Sequence, residues 1–361
     1  MEPFASVPEQ PEAKRLLTAA LEAGGAHAYL LHGPAGVGKR TAALAFAGAL
    51  LGDARRVGLR SHPDLYVLEP LGEMIRIDDV RALRHDLHMR PFEADRRVYL
   101  VLDADRMNED AADALLKDLE EPPPYAVIVL VAAELGPLPP TILSRCQLVP
   151  FRRLSETAVR EWIAAQVPER DADEVRVLAR ASGGRLDRAR RLLDADAAAR
   201  RETLIGTARS AYLDDEFDPA AAAAALLAGA AARGDEARER EQAVVDTLDL
   251  TARDSEQRVR RAARGAERDE LLAALESLES WYRDLVVVSA GAEEAAIHAD
   301  RLDDLREDVE TGAASGAVDA AEAVREAWRA LEEFNLNASL ALEALFVQLR
   351  RALAGARPAR V

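Results

Sequence analysis

Residues 33–40 read Gly33-Pro34-Ala35-Gly36-Val37-Gly38-Lys39-Arg40, and this stretch decides the fold. Gly33, Gly38 and Lys39 fill the pattern G-x-x-x-x-G-K, with Gly36 inside it. Such a loop cradles phosphate with its backbone N–H groups and a lysine. The pattern ordinarily closes on Ser or Thr, whose hydroxyl helps hold Mg²⁺ against the phosphates. Here that position is Arg40. A cradle without its metal-binding hydroxyl points to a nucleotide-binding fold that does not hydrolyse nucleotide.

The flanks supply the context the loop requires. Residues 28–32 form a short apolar run, and residues 39–51 are rich in Ala and Leu. Strand, glycine loop, helix is the order that aims a helix N-terminus at an anion. Further strands are predicted at 65–68, 98–103 and 127–131. Helices are predicted between them at 78–87 and 108–119, the second capped by Asn108 and stopped by Pro122-Pro123-Pro124. Alternating strands and helices imply an α/β domain, a parallel sheet with helices on both faces. Strand signals end after Phe151. Several short helices are predicted over 155–203, and beyond 206 the pattern is almost wholly helical. It includes the run Ala220–Ala225 and apolar residues at helical spacing, among them Leu271, Leu275, Leu278, Tyr282 and Leu285. A loop is predicted at 311–318 and a last helix at 336–353. Three parts follow: a nucleotide-fold domain over 1–150, a helical lid over 151–205 and an all-α domain over 206–361.

Composition narrows the function. The 361 residues are 49% hydrophobic but only 4% aromatic, so aliphatic side chains must fill the cores. No stretch has the length and apolarity of a membrane span, and the first residues lack the layout of a signal peptide, so a cytoplasmic location is expected. A single cysteine, Cys146, excludes an intrachain disulfide and a multi-cysteine zinc site. Only Lys14, Lys39 and Lys117 are lysine among 47 basic residues, so retention of lysine in the loop favours a genuine phosphate cradle. The net charge is −17. Residues 206–361, with 19 basic and 32 acidic residues, hold most of it. That acidity opposes a long nucleic-acid footprint and favours protein partners for this part.

Four further motifs occur in order: His27-Ala28-Tyr29-Leu30; His62-Pro63-Asp64-Leu65; Ala114-Leu115-Leu116-Lys117 followed by Leu119-Glu120-Glu121-Pro122; and Thr141-Ile142-Leu143-Ser144-Arg145-Cys146. With the loop they resemble the AAA+ clamp-loader subunits of bacterial DNA polymerase III, the delta-prime type most closely. The similarity is strong over 10–150 and weaker beyond. Near the end, Phe334-Asn335-Leu336-Asn337 with Leu340, Leu342, Glu343 and Leu345 is similar to the final collar helix of that family.

The resemblance implies a helical collar over 206–361 and a place in a pentamer that opens a sliding clamp around primed DNA. The other subunits, delta and tau/gamma, would be its partners. It makes Asp103 the remnant of the acidic residue that orients Mg²⁺, with Ala104 where active relatives carry Glu and Ala132 or Ala133 where they carry Asn or Thr. In the lid, Asp187 falls where an arginine for the γ-phosphate belongs, and a one-residue shift would bring Arg188 there. Arg145, in Ser144-Arg145-Cys146, is implied to act on the ATP site of a neighbouring subunit. No cofactor is required on this reading, although residual ATP or ADP binding through Gly33, Gly36, Gly38 and Lys39 is compatible with it. Relatives often carry a zinc module where this chain has residues 54–59, and zinc is not expected here. His85 and His88 share a helical face as ordinary polar surface. The rival readings are a hydrolysing tau/gamma-like motor and an unrelated AAA+ adaptor.

Overall fold

The structure, a computed structural model, describes residues 3–72, 74–194, 196–246, 251–333 and 337–354. The chain forms two compact units, Met1–Arg170 with Gly183–Ala189, and Asp171–Ser182 with Arg190–Val361. The segment expected as a lid, 151–205, is thus divided between them.

The first unit runs α1 (Pro11–Ala23), β1 (Ala28–His32), α2 (Lys39–Leu51), α3 (Ala54–Gly58), β2 (Leu65–Leu68), α4 (Ile77–Leu87), β3 (Arg97–Val101), α5 (Glu109–Glu120), β4 (Ala126–Ala132), α6 (Pro140–Leu143), β5 (Gln147–Pro150) and α7 (Glu156–Gln166). The sheet order is β2-β3-β4-β1-β5, and every pairing is parallel. This is the expected α/β class. β1, β3 and β4 lie inside the sheet, where helices cover both faces, so their runs are apolar almost throughout. Asn108 caps α5 as predicted, accepting from the Ala111 amide at 3.1 Å.

Two differences from the sequence reading concern strands. β3 stops at Val101 because Asp103 turns the chain into the left-handed region at φ 52°. β5 was not foreseen. It pairs with β1 as an edge strand, and its exposed Leu148 and terminal Pro150 give it no alternating pattern.

The second unit is helical: α8 (Ala172–Ala181), α10 (Ala197–Leu213), α11 (Pro219–Val245), α12 (Ala252–Ser289), α13 (Leu302–Glu310), α14 (Ala317–Glu333) and α15 (Ala338–Ala354); between α8 and α10, α9 (Leu186–Leu193) begins in the first unit and ends in this one. Tyr212, Leu275, Leu278, Trp281, Tyr282, Leu342 and Phe346 share its core. Asp308, fully buried, accepts from Arg209 Nη2 at 2.9 Å and from the Tyr212 hydroxyl at 2.5 Å, and the Trp281 indole donates to that same hydroxyl at 3.0 Å. The loop predicted at 311–318 is instead a 3-10 turn, Ala313–Gly316, running into α14. A Cβ at Gly316 would lie 2.1 Å from the Ala352 carbonyl oxygen, so packing on α15 tightens this segment. Phe334, Asn335 and Leu336 of the collar motif lie outside the described residues.

Candidate functional site: a phosphate loop and its neighbours

The loop between β1 and α2 has the backbone its glycines permit. Gly33, Gly36 and Gly38 have φ of 133°, 70° and 97°, a region L side chains rarely adopt. Close packing also constrains two of them. A Cβ at Gly33 would meet the Phe151 carbonyl oxygen at 2.2 Å, and one at Gly36 would meet Asp187 Oδ1 at 1.7 Å. The loop's path between β1 and α2 therefore requires glycine at these positions.

Lys39 opens α2 and is 6% exposed. Its ammonium donates to the carbonyls of Gly33 and Pro34, each at 2.5 Å. Burial pulls its pKa down to about 8, against the fields of Asp105, Asp103 and Asp187. Arg40 pairs with Glu69, which also holds Arg60 at 2.6 Å. A guanidinium is cationic and has no acceptor, so it cannot replace a hydroxyl as a ligand of Mg²⁺.

Asp103 stands just past β3 and acts on Lys39 and Arg40 through its field. Ala104 is buried and opens a 3-10 turn. Sequence reasoning passed over the next acid. Asp105 Oδ2 accepts from the amides of Ala133 at 2.9 Å and Glu134 at 3.1 Å, fixing the end of β4. Burial raises the pKa of Asp105, and those amides oppose the rise. The only signal was the spacing Asp-Ala-Asp after an apolar strand.

The lid segment reaches the loop. The Leu186 amide donates to the Gly36 carbonyl at 2.7 Å, and the Arg185 guanidinium pairs with Asp187 at 2.7 Å. Of the two sequence alignments, the observed geometry brings the Asp187 carboxylate, with Leu186, against the cradle.

Arg145 makes its contacts elsewhere. It follows α6, where it donates to the Thr141 carbonyl at 2.9 Å and to Ser144 Oγ at 3.1 Å and pairs with Glu120 at 2.5 Å. A third of its side chain is exposed. Burial pushes the neighbouring Cys146 thiol up to about 12, so this sulfur is no nucleophile at neutral pH.

The His-Pro-Asp motif does structural work. Asp64 is fully buried, and its carboxylate accepts from the amides of Phe92, Glu93 and Ala94 at 2.6, 2.9 and 2.9 Å. His62 Nδ1 accepts from the Asp64 amide at 3.1 Å. His88 lies 3.5 Å from Asp118, an acid shared with Arg84. Among the described residues no group of three or more His, Cys, Asp or Glu is placed to hold a metal ion, and no helix is long and apolar enough to cross a membrane.

The sequence that builds this site is similar to known proteins. Residues 9–155 match the family model described as DNA polymerase III, delta subunit. The chain is 38% identical over 174 residues to DNA polymerase III subunit delta-prime of Pseudomonas aeruginosa, a match covering 44% of this chain and 53% of that protein. Over residues 9–155, less than half of the chain, the sequence is thus similar to the delta-prime subunits of DNA polymerase III. It is 34% identical over 170 residues to the Bacillus subtilis delta-prime subunit, covering 44% of this chain and 52% of that one. Subunit tau of Bacillus subtilis is 29% identical over 197 residues, covering 50% of this chain and 35% of that protein. The matches span about half the length of the delta-prime relatives.

Proposed function

We propose that the chain is a clamp-loader subunit of the delta-prime type, a stator that does not hydrolyse ATP and lends Arg145 to an ATP site on a neighbouring subunit. The observation that carries the reading is Arg40. It replaces the Mg²⁺-binding hydroxyl, and its side chain is engaged with Glu69. Ala104, and Ala132 or Ala133, support it, because the resemblance puts them where active relatives carry polar groups that polarise and orient water, and alanine can do neither. Positioning and charge stabilisation supply nearly all of phosphoryl-transfer catalysis, so losing three such groups leaves no useful turnover. Arg145 keeps a guanidinium at the surface, where its exposed part can reach a second protein. The likeness to tau supports a rival, a hydrolysing motor in the same complex, and the rival requires Lys39 to act on bound nucleotide.

The test is phosphate release by a reconstituted loader with clamp and primed DNA, after equal assembly is confirmed. Arg145→Ala is expected to lower stimulated hydrolysis, with the affected site losing ~10³–10⁵-fold. Total hydrolysis falls less unless the sites fire together. Arg145→Lys rescues poorly, because a point charge lacks the planar fork. Lys39→Ala has little effect. A loader crippled by Lys39→Ala and indifferent to Arg145→Ala overturns the stator reading in favour of the motor.

A further inference from the structure

The phosphate loop already has an anion against it, and that anion belongs to the chain. Asp187 lies in the first turn of α9, and its carboxylate packs so closely on Gly36 that a single added carbon there would overlap it. The segment carrying it is fastened at several points. The Leu186 amide donates to the Gly36 carbonyl at 2.7 Å, the Leu154 amide donates to the Gly184 carbonyl at 3.1 Å, and Arg153 Nη1 donates to the Gly183 carbonyl at 2.9 Å. Gly184 has no room for a side chain, since a Cβ would lie 2.5 Å from the Leu154 carbonyl oxygen. Residues 183–189 accordingly belong to the same compact unit as the loop.

The local charge is organised around this carboxylate. Asp103, Asp105 and Asp187 all act on the Lys39 ammonium. Arg185, the lid cation beside them, holds Asp187 through Nε at 3.1 Å and Nη2 at 2.7 Å. A nucleotide phosphate arriving at Gly36 would meet a carboxylate packed on that glycine, a cluster of like charge, and a lysine and an arginine that already have partners.

We propose that Asp187 is an internal anion for the phosphate loop, holding the place of a nucleotide phosphate and excluding ATP and ADP from it. The proposal rests on residues 33–39 being a phosphate loop and is independent of the role assigned to Arg145. Removing the Asp187 carboxylate vacates the space at Gly36, lowers the negative field and releases Arg185 toward an incoming phosphate.

The experiment titrates the full-length chain with fluorescently labelled ADP, followed by anisotropy with and without Mg²⁺, and folding is checked by circular dichroism. Wild type is expected to bind no tighter than about 1 mM. Asp187→Ala is expected to tighten binding at least about tenfold, a change equal to one factor of ten in Kd. Asp187→Asn, which keeps the shape but loses the charge, gains less. Adding Lys39→Ala to the Asp187→Ala chain is expected to abolish the gain. Wild type binding as tightly as a folded Asp187→Ala chain overturns the proposal, as does a folded variant with no gain. Should Asp187→Ala fail to fold, Asp187→Asn decides: a gain of several-fold supports the proposal and no gain refutes it. Either result leaves the hydrolysis test of Arg145 to stand or fall separately.

Discussion

Asp64→Ala removes a carboxylate that holds three backbone amides, and the structure gives the size of the loss. Oδ1 accepts from Phe92 at 2.6 Å, while Oδ2 accepts from both Glu93 and Ala94 at 2.9 Å. A hydrogen bond to a charged group contributes ~1.5–3 kcal/mol, and a buried donor left unsatisfied costs ~1–3 kcal/mol. The Phe92 side chain is 70% exposed, so water can reach part of this loop once it loosens. The expected loss is therefore below the three-bond minimum of ~4.5 kcal/mol, at ~3–4 kcal/mol. In a unit of this size that corresponds to a fall in Tm of roughly 6–16 °C. Asp64→Asn keeps one oxygen for Glu93 and Ala94 and loses only the Phe92 bond, so it should cost about 1–2 kcal/mol. Burial pushes the Asp64 pKa up, but the three amides outweigh burial and hold it below the usual carboxylate range. Its contribution is thus complete above the unfolded value of about 4 and is lost as pH falls through the folded value. The gap between wild type and Asp64→Asn should narrow in acid. Hydrogen exchange of the 92–94 amides, with thermal melting from pH 3 to 7, measures both effects. Unchanged protection of those amides in Asp64→Ala would falsify the assignment of Asp64 as the clamp on this loop.

Asp308→Ala should destabilise the helical unit by ~1.5–3 kcal/mol, because it removes the buried carboxylate that accepts from Arg209 and Tyr212, while Arg209 keeps Asp304. The change should also alter Trp281 fluorescence, since that indole donates to the hydroxyl Asp308 holds. Lys39 should titrate with a midpoint near about 8, measurable by NMR on a chain whose three lysines are ¹³C-methylated. Because burial is the leading cause, the unfolded state binds the Lys39 proton more tightly. The charge is carried at a cost below the folded value, and that cost is relieved as pH rises toward the unfolded value of about 10.4. Lys39→Met should therefore not destabilise the chain at pH 7, and a clear loss of stability there would contradict this cause.

Local chemistry made β1, β4 and the phosphate loop legible. Strands covered on both faces must be apolar throughout, and a loop with three positive φ values must be rich in glycine. β5 was hidden because an edge strand of four residues takes its structure from β1, which lies more than a hundred residues earlier. The placement of Asp187 was legible only through the family resemblance, which put it where an arginine for the γ-phosphate belongs and left Arg188 as the alternative. The hydrogen bond from Leu186 to Gly36 closes 150 residues of chain, and nothing in Leu-Asp-Arg announces it. Asp105 was obscured for a different reason. The family pattern directs attention to Asp103 and the residue after it, whereas the amides at the end of β4 are held one residue further on. Sequence spacing located the site, and long-range packing determined which acids face its lysine.

The loop glycines have a structural use that needs no nucleotide. Gly33 has φ 133° and lies against the backbone of Phe151, while Gly36 has φ 70° and lies against Asp187, so replacing either demands both a strained backbone and a displaced neighbour. Lys39 is buried against its own loop and contributes to the shape of the turn even without a phosphate. The pattern G-x-x-x-x-G-K therefore reports the path of the backbone between β1 and α2. On the proposed reading, chemistry is reported by the residues around it: Arg40 in place of a hydroxyl, Ala104 and Ala132 or Ala133 in place of polar groups, and Asp187 where the resemblance puts a cation for the phosphate. On that reading the chain keeps the loop and loses the reaction, because the fold needs the glycines and hydrolysis needs the others. This separation also makes the two functional tests independent. Asp187→Ala changes whether the cradle accepts an anion, whereas Arg145→Ala changes whether the chain helps a neighbour, and the two residues share no contact among those described here.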